Sequence, residues 1–244
     1  MADAINDNLV LIAGESTTGK SASLMNIEDH SGVLYLGTEA GKKLPFRNKF
    51  KKLKVTEPNQ VPSAIDQAET MPEIHTIVID SVSFLMEQFE SQYVINAVEG
   101  YAAWSQYGQF FKNLMQDKIA NSKKNVIVTG HTNAVLNEQT GVMESKVTIK
   151  GALNKIGVES YFSCVIATKV VPIKDLKDYK NDMLVITPEE EALGFKHVFQ
   201  TTKTKKTFGD RIRSPIGMWT TAETYIDNNV QHVLDKLKWY YADD

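Results

Sequence analysis

Short apolar runs separated by polar, glycine-containing segments recur along most of the chain. Residues 8–13, 33–36, 74–81, 125–131 and 165–171 each hold three or more apolar residues, many of them β-branched. Their length and composition predict strands buried on both faces. Between them the spacing changes to a helical period. Val61, Ile65 and Ala68 mark a helix over 62–71, residues 82–93 form a second amphipathic helix, and residues 104–119 a third. In the third, Trp104, Tyr107, Phe110, Phe111, Leu114 and Met115 share one face and read as core.

Strands alternating with helices predict an α/β fold with a mostly parallel central sheet flanked by helices. Toward the C-terminus the pattern shifts. Residues 153–162 read as a helix, 183–187 and 196–202 as strands, the second alternating in polarity, and 222–240 as a closing helix. Antiparallel strands are therefore expected at that end, within a single domain spanning 1–244. Residues 132–150 hold few large apolar side chains and read as a loop, long enough to carry function.

Composition narrows the class. The chain has 244 residues, 42% hydrophobic and 23% charged, as in an ordinary globular protein. Lys and Arg number 27 against 30 Asp and Glu, a net charge of −3, so any nucleic-acid site must come from a local basic patch. The single cysteine, Cys164, excludes an internal disulfide and sits in an apolar run, which predicts a buried thiol. No apolar run approaches the ~20 residues that span a bilayer. Residues 1–7 are acidic and lack a signal peptide's basic and apolar regions, so no membrane partner and a cytoplasmic location are expected.

The most specific stretch is Gly14-Glu15-Ser16-Thr17-Thr18-Gly19-Lys20-Ser21, a full G-x-x-x-x-G-K-[ST] phosphate loop between a strand and a helix start at Ala22. Backbone N–H groups of Gly14 through Ala22 and the positive helix end are expected to hold phosphate oxygens, with Lys20 on the terminal phosphates. Ser21 is the expected Mg2+ ligand from the loop. The strand 74–81 ends at Asp80, which would hold the metal from a second side. Glu39 follows the strand 33–36 and is the candidate base that orients or deprotonates the attacking water. His131 ends the strand 125–131, positioned to sense the terminal phosphate.

Two segments are basic. Residues 42–54 carry seven Lys or Arg and no acid, with Phe46 and Phe50 interleaved. Charges that track phosphate beside rings that stack bases suit single-stranded nucleic acid. Residues 203–213 carry five basic residues and one acid; Lys205, Lys206, Arg211 and Arg213 are candidates to neutralise transition-state charge.

In order and spacing these stretches resemble the RecA-like P-loop ATPase core, and in particular the small phage-encoded RecA-like proteins linked to single-strand annealing and recombination. The resemblance implies ATP and Mg2+ as cofactors, Glu39 as the catalytic carboxylate and His131 as a phosphate sensor at the start of a DNA-facing loop. It further implies single-stranded DNA as partner, possible cooperation with a single-strand-binding protein, and a homo-oligomer. In that oligomer Lys205 and Arg211 would reach ATP across a subunit interface. Two alternatives stand beside it: a small-molecule (nucleoside or nucleotide) kinase, and a non-hydrolysing, nucleotide-stabilised DNA-annealing platform. The chain departs from full-length recombinases in showing no extra DNA-binding domain, and residues 132–150 are not rich in Gly or Arg.

Overall fold

The computed structural model describes residues 6–39 and 41–242. Residues 1–5, part of the stretch read as lacking a leader, lie outside the described residues. Nine strands form the described sheet: β1 (Leu9–Gly14), β2 (Val33–Gly37), β3 (Lys51–Lys54), β4 (Thr76–Asp80), β5 (Asn125–Asn137), β6 (Val142–Val147), β7 (Cys164–Pro172), β8 (Phe195–Gln200) and β9 (Tyr225–Asp227). Their order is β3-β2-β4-β5-β1-β7-β8-β9, with β6 paired to the outer half of β5. Strands β3 through β7 along that path are parallel, while β8 and β9 run antiparallel. The expected mixed sheet is therefore present, parallel at its centre and antiparallel at its C-terminal edge.

Each central strand feeds two cores. Leu9 and Leu11, Ile77 and Ile79, Val126 and Val128 point to one layer, packed with the helices Gln60–Glu69, Val82–Phe89 and Gly100–Asn113. Val10 and Ile12, Val78, Ile127, Cys164 and Ile166 point to the other, beneath helix Val230–Tyr240. Burial on both faces is why these runs read as continuously apolar. Cys164 is fully enclosed, and loss of solvation pushes its thiol up to about 12, so it is an inert part of the core. Among the described residues no helix is long and apolar enough to cross a membrane.

Several elements differ from expectation. Residues 132–150 are not a loop: β5 runs on past the sheet to Asn137 and returns as β6, pairing Thr132 with Val147 through Asn137 with Val142. The turn at 138–141 closes this hairpin, whose outer residues Val135, Leu136 and Met143 are exposed. Residues 183–187 form no strand. Their backbone is bonded instead to Asp227, whose N–H donates to the Met183 carbonyl while its carboxylate accepts from Val185 N–H. The expected helix over 153–162 breaks at Gly157, where φ is +84°, into Leu153–Ile156 and a short turn Val158–Tyr161. The closing helix starts at Val230, because Tyr225–Asp227 is drawn into the sheet against β8.

Candidate nucleotide site

The carboxyl ends of the parallel strands share one edge, where open α/β sheets place ligands. Register sets Gly37 of β2 beside Asp80 of β4, and Gly14 of β1 beside His131 of β5. Four segments distant in sequence therefore converge there: the phosphate loop, Glu39, Asp80 and His131.

The loop's two glycines are required for different reasons. A Cβ on Gly14 would fall 2.0 Å from Thr168 Oγ1 and 3.1 Å from the Thr168 carbonyl, so close packing on β7 excludes any side chain. Gly19 adopts φ +107°, a conformation that side chains rarely take. Two contacts from the C-terminal part of the chain brace the loop. Asn228 Nδ2 donates to the Gly19 carbonyl at 2.9 Å, and His197 Nδ1 lies 3.0 Å from the Thr18 carbonyl, which it meets as a donor. Lys20 is buried and donates to the carbonyls of Gly14 at 2.9 Å and Glu15 at 2.7 Å. Loss of solvation lowers its pKa to about 8, against the attraction of Asp80 and with the repulsion of Lys42.

The helix after the loop is short: Ala22–Asn26 is a single 3-10 turn that ends as the chain heads for β2.

Asp80 is held by three hydroxyls. Ser21 Oγ and Tyr35 OH both donate to Oδ2 at 2.8 Å, and Thr129 Oγ1 donates to Oδ1 at 2.5 Å. Burial, and then the charge of Asp80, push the Tyr35 phenol well above its ordinary range, so it remains a donor. The pair Ser21 and Asp80 fits magnesium, which takes one or two protein oxygens and completes its shell with water and phosphate. Among the described residues there is no group of three or more His, Cys, Asp or Glu that could hold a metal ion on their own.

Glu39 is held at both oxygens. His131 Nε2 donates to Oε1 at 2.9 Å and Lys42 Nζ meets Oε2 at 2.5 Å. Burial alone would raise this carboxyl, but the bonds and charges of Lys42 and His131 outweigh it and hold Glu39 below the usual carboxylate range. His131 is itself fixed: its N–H donates to Ser83 Oγ at 3.0 Å, and the Phe84 ring meets its imidazole edge-on at 5.2 Å between centroids. Lys20, Ser21, Lys42, Lys43, Pro45 and His131 line one cavity of about 400 Å³ together with the outer loop.

The expected site residues thus divide. Gly14 to Ala22, Glu39, Asp80 and His131 meet at one edge. Arg211 does not enter the cavity lined by Lys20. It lies on the opposite side of the loop, lining a second cavity of about 400 Å³ with Glu15, Thr18, Thr168 and Asp210. There its guanidinium faces Glu144 at 3.2 Å and Glu159 at 3.5 Å within the same chain. Lys205 and Lys206 are exposed nearby. In the other basic segment, Phe50 is buried and Phe46 half-buried, packed with His30 and Tyr35, so neither ring is offered to a base. The seven cations remain exposed, and residues 51–54 form the edge strand β3.

Tyr35, Thr129, Thr168, His197 and Asn228 were not singled out by sequence. Tyr35 and Thr129 are hydroxyls inside apolar strands, and only the pairing of β2, β4 and β5 brings them to Asp80. A family model described as an AAA domain matches residues 6–210. No curated protein matches the chain.

Proposed function

Because the chain belongs to the AAA domain family, a nucleotide-binding ATPase type, we propose that it binds and hydrolyses Mg-ATP at the edge described above. The observation that carries this reading is the placement of Glu39 between Lys42 and His131, both of which line the cavity reached by Lys20 and Ser21. Loop N–H groups and Lys20 bind the β- and γ-phosphates. Ser21 and Asp80 would hold magnesium, which when bound neutralises charge on the phosphates. Glu39 orients the water in line with the terminal phosphorus and takes its proton, and His131 fixes the carboxylate. A carboxylate that recruits water supports hydrolysis over transfer to a nucleoside.

We extend the reading to single-stranded DNA, served in phage-type recombination, annealing or replication by a homo-oligomer. What supports it is the exposed ridge of Arg47, Lys49, Lys51, Lys52 and Lys54. With the rings turned inward, recognition there is by phosphate charge alone, without sequence preference. The exposed Lys205 would act toward a neighbouring subunit.

The test is the ATPase rate with and without single-stranded DNA at two salt concentrations, in wild type and Glu39→Gln. The variant is expected to bind ATP and fail to turn it over; normal hydrolysis by it would refute the assignment. DNA that neither binds nor alters the rate at low salt would remove the nucleic-acid part.

A further inference from the structure

The two groups on Glu39 differ in their freedom. His131 is packed under Phe84 and bonded through its backbone to Ser83, so it stays in place. Lys42 does not share that packing. Its side chain is 50% exposed against 12% for Glu39. It stands on an open turn, where Gly41 has φ +75° and nothing lies within 4 Å of where a Cβ would be. Its ammonium therefore reorients at little cost.

Lys42 also has a reason to move. It lines the same cavity as Lys20, and the two like charges repel. A polyanion in that cavity relieves the repulsion and competes with a single carboxylate for the Lys42 ammonium. Meanwhile Lys42 sits on Glu39 Oε2, and its positive charge makes that oxygen a poorer acceptor of a water proton.

We propose that Lys42 is a positioning residue that passes from Glu39 Oε2 to the terminal phosphate of bound ATP, uncovering that oxygen for the attacking water. This rests on the ATPase reading above. In the step it permits, the water oxygen bonds to the γ-phosphorus and the bond to the ADP oxygen breaks. The water's proton passes to Glu39 Oε2 and is later released to solvent. ADP lacks the phosphate that draws Lys42 away, so Glu39 is covered again after turnover. The ammonium thus acts as a detector of the third phosphate, gating the base that acts on it.

The experiment compares wild type, Lys42→Ala and Lys42→Arg. Lys42→Ala should weaken ATP binding by about tenfold, the scale of one lost charge-assisted bond, and leave ADP within about twofold. Lys42→Arg should restore the ATP-to-ADP ratio. The acid limb of kcat/KM, which reports the free enzyme, should move to higher pH in Lys42→Ala, because Glu39 has lost its cation. The acid limb of kcat should not move, because in the complex Lys42 has already left. Equal weakening of ATP and ADP, an unchanged ratio, or an effect seen only when an oligonucleotide is added would each overturn the proposal; the last would assign Lys42 to nucleic-acid phosphate. Wild type that hydrolyses Mg-ATP through Glu39 while Lys42→Ala keeps its nucleotide preference refutes this inference alone. Wild type that binds neither nucleotide refutes the ATPase reading with it.

Discussion

Residues 42–54 and 203–213 look alike as sequence, each a basic stretch of eleven to thirteen positions, yet the fold treats them in opposite ways. The first lies along the sheet edge at β3 and opens at Lys42 and Lys43 into the cavity that holds Lys20. Apart from Lys42 with Glu39 and Lys51 with Glu73, its cations have no acidic partner among the described ion pairs. The second is tied down at 209–211, while its Lys203, Lys205, Lys206 and Arg213 have no acidic partner among the described ion pairs. Arg211 faces Glu144 and Glu159, Asp210 pairs with Lys169, and Ser145 N–H donates to the Gly209 carbonyl. One basic segment is presented outward; the other clasps strand β6 of the hairpin. Cations alone do not tell a ligand surface from a structural tie; the acids that the topology brings opposite them do.

The sharpest break between the two sides of the phosphate loop is expected from single substitutions on the Lys20 side. Lys20→Ala should cost on the order of 100-fold or more in ATP affinity by calorimetry. Glu39→Gln should keep that affinity and lose on the order of 100-fold to 10⁴-fold in kcat.

A second separation comes from pH. Burial sets Lys20 at about 8 in the free protein. Triphosphate binds the protonated amine, so affinity should be flat below pH 8 and fall about tenfold per unit above it. Acidification from pH 8 to 6 should not weaken binding through this group. A flat affinity between pH 8 and 10 would show that the amine on which binding depends is not lowered to about 8.

On the ridge, Lys49→Glu, Lys51→Glu and Lys52→Glu combined should weaken single-stranded DNA binding. The slope of log affinity against log salt should flatten by about 0.7 for each phosphate contact removed. The triple change should leave ATP affinity untouched. The smallest effect on nucleotide belongs to Arg211→Ala, within about threefold in the isolated protomer. Its cost should appear in stability instead, about 1–3 kcal/mol by denaturant titration. It leaves Glu159, 4% exposed and bonded to Val147 N–H at 2.6 Å, without its cation. A large loss of ATP binding there would erase the contrast between the segments.

How much of this was legible in the sequence follows from how local each signal is. The phosphate loop is contiguous, and its glycines are needed for backbone reasons that hold within eight residues. Asp80, Glu39 and His131 were legible because each terminates an apolar run, and a parallel sheet gathers such ends on one edge. Tyr35 and Thr129 were not, since a hydroxyl aimed along a carboxyl edge looks like any strand residue until β2, β4 and β5 are set side by side. The hairpin was missed because its apolar residues Val135, Leu136 and Met143 stay exposed, so its strands lack the apolar alternation that marks a buried face. Residues 183–187 were misjudged the opposite way: their apolar side chains pack in small clusters while the backbone finds Asp227 instead of a neighbouring strand.

The brevity of Ala22–Asn26 has a consequence for how the site feels its surroundings. Aligned peptides in a long helix supply a fixed partial charge that no titration or side-chain motion can remove. Five residues of 3-10 turn supply little of it. Beyond the loop N–H groups, the attraction for phosphate then comes from ammonium groups, two of them on an exposed turn. Such an attraction fades as counterions gather around it, so nucleotide occupancy here should follow the ionic strength of the medium more closely than it would at a long helix end.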